Sequence, residues 1–143
     1  MKRTTTLLVS CLPLALAAGC GGRDALPMVV VHGTVTCGGE PVERGEIRFV
    51  PIEGTPGPLS AGLISKGEYQ IDVRGGVPAG RHRVEIVAQR RTGRQVMRDT
   101  GTESAMMDET VQLGPPEYAG EQSPLVAEVS KSNARFDFEL PEE

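Results

Sequence analysis

The chain has 143 residues, with 15 Lys and Arg against 19 Asp and Glu, a net charge of −4. That length bounds one small domain, and 18 Gly with 11 Pro make it loop-rich without the composition of a disordered chain. An acidic chain of this kind is not a general nucleic-acid binder, so no nucleic-acid partner is expected.

Met1–Cys20 reads MKRTTTLLVSCLPLALAAGC. Lys2 and Arg3 form a positive start. Leu7–Ala18 is a short apolar run, broken by Ser10, Cys11 and Pro13. It falls short of the about 20 apolar residues that span a bilayer, and its flanks are those of a secretory signal. The run ends in Ala17-Ala18-Gly19-Cys20, which resembles the lipobox of bacterial lipoproteins. The resemblance implies cleavage before Cys20 and a diacylglycerol on its thiol. Ala17 stands where that family more often has Leu, and an ordinary secretory signal cut nearby is the alternative. A second match, Leu8-Val9-Ser10-Cys11, leaves almost no apolar run before it. In Gram-negative lipoproteins an Asp directly after the lipidated Cys favours the inner membrane. Here that residue is Gly21, so the resemblance points to the outer membrane. The expected organisation is a signal peptide at 1–19, a lipidated tether at 20–27 and one folded domain at 28–143. The protein is then exported and lipid-anchored, facing the periplasm or the exterior. Loss of Lys2 and Arg3 leaves 13 basic against 19 acidic residues, a net −6. Of three cysteines, Cys11 leaves with the signal and Cys20 is lipidated. Only Cys37 remains, and no internal disulfide is expected.

After the tether the pattern is β. Val outnumbers Leu by more than two to one in the mature chain, and β-branched residues favour strands. Period-2 alternation marks strands at Met28–Thr36, Glu46–Pro51, Glu68–Val73, Arg81–Gln89 and Ala134–Leu140. Phe136, Phe138 and Leu140 alternate with Arg135, Asp137 and Glu139, which is the cleanest of the five. Weaker strands are expected at Leu59–Ser65 and Leu125–Ser130. Cys37-Gly38-Gly39-Glu40-Pro41, Gly54-Thr55-Pro56-Gly57-Pro58, Lys66-Gly67 and Gly75–Gly80 are turn signals between them. The expected fold is all-β: a single antiparallel β-sandwich of about seven strands. Arg90–Glu117 interrupts the rhythm as a long polar insertion before the last two strands, with no evident strand of its own. Ser104–Leu113 reads as a short helix capped by Ser104.

Several motifs recur in a characteristic order: Val31-His32-Gly33-Thr34-Val35-Thr36, Gly39-Glu40-Pro41-Val42 and Gly45-Glu46-Ile47-Arg48-Phe49-Val50-Pro51. Then follow Gly67-Glu68-Tyr69, Gly76-Val77-Pro78-Ala79-Gly80, Val84–Ile86, Pro116-Glu117-Tyr118, Ser123-Pro124-Leu125 and Phe136–Leu140. The series resembles small planctomycete-type lipoproteins with a transthyretin-like, carboxypeptidase-regulatory-like domain, over about residues 28–140. Cys37 and His82 depart from that pattern. The resemblance implies a transthyretin-like or Ig-like Greek-key sandwich acting as a structural or interaction module. It carries no catalytic role.

Chemistry-bearing motifs are sparse. His32 lies on the polar parity of its strand and is expected in solvent. His82 shares parity with Val84 and Ile86 and is expected as a partly buried, satisfied imidazole. Neither sits in a metal-binding spacing, Cys37 has no C-x-x-C partner, and no calcium loop is present. No metal or cofactor is expected. There is no G-x-S-x-G motif. The transthyretin fold also hosts a hydroxyisourate hydrolase ending in Tyr-Arg-Gly-Ser, whereas this chain ends in Leu140-Pro141-Glu142-Glu143, and no enzyme activity is expected. Tyr69 is expected to face the core and Tyr118 to pack behind Pro115-Pro116. Cys37 is expected in an exposed turn, open to an intermolecular disulfide. One charge anomaly stands out: Arg90, Arg91, Arg94 and Arg98 cluster in an otherwise acidic chain. They are the candidate contacts for an anionic polymer, a lipid headgroup or an acidic partner. The main expectation is a non-catalytic interaction module whose partners are the membrane, through Cys20, and an envelope protein. The alternative is a binder of an anionic envelope polymer through the arginines. Oligomeric state is left open.

Overall fold

The computed structural model describes residues 26–142, so the expected signal peptide and most of the expected tether, Cys20 included, lie outside the described residues. The domain is an open β-sandwich with no α-helix among the described residues. Among the described residues eleven strands stand where about seven were expected: β1 (Met28–Val29), β2 (Val31–Cys37), β3 (Glu40–Pro41), β4 (Arg44–Pro51), β5 (Ser60–Ser65), β6 (Glu68–Ile71), β7 (Val77–Pro78), β8 (Gly80–Asp99), β9 (Ser104–Leu113), β10 (Val126–Val129) and β11 (Phe138–Leu140). Two single 3-10 turns, at Val73–Gly75 and Pro116–Ala119, complete the set.

The main sheet runs in the order β10-β8-β4-β5-β6-β2-β11, with β3 beside β2 and β9 beside β8; β1 and β7 pair separately. Pairing is antiparallel except at one place. β11 lies parallel to β2, with Phe138, Glu139 and Leu140 opposite Val35, Thr36 and Cys37. The expectation of a purely antiparallel sheet is corrected there. The C-terminal strand reaches β2 from the far end of the chain, so no hairpin dictates its direction. Asp137 secures it: Thr34 donates to Oδ1 from its backbone N–H (2.8 Å) and its hydroxyl (2.9 Å). Gly33 makes the approach possible. A Cβ there would overlap the carbonyl oxygen of Phe136.

Alternation does what the sequence demands. Ile47 and Phe49 of β4 stand opposite Ile86 and Val84 of β8, all facing inward. Phe49 is fully buried at the centre, with Tyr69, His82, Phe136 and Phe138 around it at ring-centroid distances of 6.1–6.5 Å. All three Phe of the chain therefore meet in one cluster. Tyr69 donates its hydroxyl to the carbonyl of Phe136 at 2.8 Å, and burial pushes its phenol far up. On the outer face, Arg48 meets Glu46, and Arg83 meets the nearly buried Glu85 at 2.7 Å. Lys66-Gly67 forms the expected two-residue turn between β5 and β6, with φ of 53° and 81°.

The expected first strand is split at Val30, because β1 pairs with β7 while β2 pairs with β6. The strand expected to end at Val73 stops at Ile71, and the 3-10 turn swings Val73 into solvent.

Candidate functional site

The largest departure from expectation is the segment 90–117. β8 does not stop at Gln89. It continues to Asp99 as a 20-residue strand, and Ser104–Leu113 returns beside it as β9. The helix expected over Ser104–Leu113 is a strand. Both faces of this ribbon meet solvent, so no apolar period 2 is written into it. Pairing with Arg90–Asp99, not a buried face, makes it β. The result is an arm of two strands projecting past the core and closed by Thr100–Glu103, where Thr100 N–H donates to the carbonyl of Glu103 at 2.9 Å.

A bulge marks the arm's midpoint. Thr92, Gly93 and Arg94 stand against the single residue Glu109, between the pairs Arg91–Thr110 and Gln95–Asp108. Gly93 takes φ 80°, which the extra residues require and a side chain would resist. Glu109 ties the bulge together. It accepts from Thr92 Oγ1 at 2.8 Å and from Arg94 Nη2 at 2.8 Å. The Thr92 hydroxyl, with Arg94 and Arg98 nearby, holds its carboxyl below the usual range. Glu109 was not among the sequence candidates. Its one signal was a Thr-Gly-Arg triplet in a segment read as irregular.

The four arginines are spread along this arm rather than gathered. Arg91 lies between Glu43 (3.6 Å) and Asp108 (3.5 Å), and Arg94 is held by Glu109. Arg90 and Arg98 make no salt bridge among the described residues. Alternation turns Arg90 and Arg91 to opposite faces of the ribbon. Arg90 lines a groove at the arm's root with Cys37, Glu40, Glu43, Leu113 and Glu142, whose charge is mainly acidic.

The arm also exposes apolar side chains on both faces. Met97 and Met106 pair across one face, with Met97 72% exposed. Met107 pairs with Val96 on the other, beyond the exposed Val111. The outer edge of β9 has no partner strand among the described residues.

The remaining candidates resolve as follows. His32 is exposed, as expected. His82 is fully buried; its Nδ1 lies 3.1 Å from the Gly80 carbonyl and its Nε2 has no partner, so it is not the satisfied imidazole the sequence suggested. Burial pushes its pKa below the ordinary 6.5. Cys37 is not in an exposed turn. It ends β2, nearly buried, and its thiol faces the Pro141 carbonyl at 3.6 Å. Parallel pairing with Leu140 carries the chain over it. Burial, with Glu142 nearby, pushes the thiol pKa up. Tyr118 packs against the core from the second 3-10 turn. Among the described residues no three His, Cys, Asp or Glu side chains converge as a metal site, and no helix is long and apolar enough to cross a membrane. Comparison with protein-family models, curated proteins and solved structures finds no match.

Proposed function

We propose that the chain is a lipid-anchored envelope protein whose β-sandwich is a non-catalytic interaction module, held at the membrane through Cys20. The β8–β9 arm is its contact element. One observation carries this reading: a long two-stranded ribbon leaves the core with three exposed methionines and a free strand edge. Isolated two-stranded ribbons are marginal in water, and an unpaired edge accepts a further strand. Methionine supplies an adaptable apolar contact. A transthyretin-like architecture, as the motif series implies, fits a module of this kind.

The test is cross-linking capture on intact cell envelopes. The wild-type lipoprotein is compared with a variant in which residues 95–108 are replaced by a two-residue Asn-Gly turn. A defined protein captured by the wild type and lost with the arm supports the proposal. Identical capture by both would send the contact elsewhere.

A second reading is kept by Arg90 and Arg98, which lack ion-pair partners among the described residues. It makes the arm a binder of an anionic envelope polymer. Binding that collapses between low and moderate salt, and in the variant with Arg90, Arg91, Arg94 and Arg98 all replaced by Ser, would favour it.

A further inference from the structure

The opposite end of the domain carries its own apolar surface. Met28, Pro58, Leu59, Val73 and Arg74 line one shallow cavity. Leu26, 40% exposed, lies beside this cavity's rim: its side chain and that of Pro78 both flank Gly57, the residue before Pro58. Leu59 is 50% and Val73 68% exposed. Val73 has the parity of a core residue, yet the strand ends at Ile71 and the turn that follows presents it outward. Beside it Arg74 is exposed, with φ 56°. The neighbouring Asp72 accepts from Gln70 Nε2 at 3.0 Å.

This surface sits where the chain enters the fold. Residues 21–25 separate Cys20 from Leu26. At about 3.3–3.6 Å per residue they reach no farther than about 20 Å. If Cys20 carries the anchor, which is the reading proposed above, the surface is held that close to the bilayer. A tether of this length supplies an effective concentration of about millimolar order, so a few side chains suffice for contact.

We infer that the Leu26–Met28–Leu59–Val73 surface rests on the headgroup and acyl boundary of the bilayer that holds Cys20. Leu59 and Val73 enter the apolar side of that boundary. Arg74 lays its stem along it and meets headgroup phosphate. β8 begins at Gly80, directly after the β7 strand that pairs with Met28–Val29. It therefore starts at the membrane end and runs away from it. At 3.2–3.4 Å per residue its 20 residues carry the arm's tip at most about 65 Å from Gly80, less what the bulge takes up. The fold thus stands the contact arm off the membrane.

The chain contains no Trp, so one introduced Trp reports its own surroundings. Residues 20–143 with Cys20→Ser and an N-terminal hexahistidine are held on phosphatidylethanolamine–phosphatidylglycerol vesicles that contain a nickel-chelating lipid and brominated acyl chains. This tether works whether or not Cys20 is lipidated in the cell. Three variants are compared: V73W, L59W and, as control, L63W, whose site is 77% exposed and lines other grooves than the patch. The expected result is blue-shifted emission for V73W and L59W, quenched several-fold more strongly than L63W. Equal quenching of all three, or of none, overturns the inference. So does a blue shift of V73W that appears without vesicles and grows with protein concentration, which would assign the patch to a second copy of the chain. The mass of the Cys20 peptide from envelopes separately decides the anchor itself.

Discussion

Three side chains concentrate the residue-scale consequences. Phe49 touches every other aromatic of the central cluster, and its removal leaves a cavity that the flanking strands cannot close. Phe49→Ala is expected to cost about 3–5 kcal/mol, a large part of the about 5–15 kcal/mol that holds a small domain together. Urea unfolding measures it; a loss below 1 kcal/mol would mean that the cluster is not the core. His82 is buried with Nε2 unpartnered and a lowered pKa. The unfolded chain takes up a proton near the ordinary 6.5 while the folded one resists it. Stability is therefore full above that value and is lost as pH falls through the folded pKa. His82→Leu is expected to flatten this acid slope, whereas an unchanged slope would place its origin in other groups. Cys37, buried and with its thiol pKa raised, is expected to react with a disulfide reagent orders of magnitude more slowly in the native protein than in denaturant. Fast native labelling would contradict the burial. The histidines were legible only by parity. Alternation places His82 inside, but nothing local shows that its second nitrogen is left alone there.

At the scale of elements, the arm and the C-terminal strand behave oppositely. The arm beyond the bulge buries almost nothing, and its Arg94–Glu109 pair is open to water and weak. Amides from Gln95 to Asp108 are expected to exchange rapidly with deuterium, while those of β4 and the first half of β8 are protected to the limit of global unfolding. Replacing residues 95–108 with a short turn is expected to shift the melting temperature by no more than a few degrees; a collapse would make the arm part of the fold rather than an appendage. The C-terminal strand forms only over Phe138–Leu140 of the expected Ala134–Leu140, yet with Phe136 just before it the segment packs Phe136, Phe138 and Leu140 onto the core and covers Cys37. Deleting residues 134–143 is expected to abolish cooperative unfolding by near-ultraviolet circular dichroism. The two segments also differ in how they read. Phe136, Phe138 and Leu140 alternate cleanly because one face is buried. Ser104–Leu113 carries no such mark, because its strand character comes from a partner strand and both its faces are wet. Taken locally, the segment carries only the signs of a capped helix.

For the whole molecule, the linear chain determined more than its motifs suggest. Composition and period-2 alternation established an all-β sandwich and the inward set around Ile47, Phe49, Val84 and Ile86, and the Lys66-Gly67 dipeptide marked its turn. These follow from the two-residue repeat of a pleated strand beside a single buried face, which any one strand displays by itself. Tertiary structure alone decided the rest: the parallel return of β11 to β2, the burial of Cys37, the outward turn of Val73 and the continuation of β8 into an arm. Each depends on which distant segment lies alongside. The energy that settles it is spread over pairs such as Thr34 with Asp137, or Met97 with Met106, that stand far apart along the chain or share no buried face. That is why the candidate arginines could be named from sequence, while their separation onto opposite faces of a projecting ribbon could not.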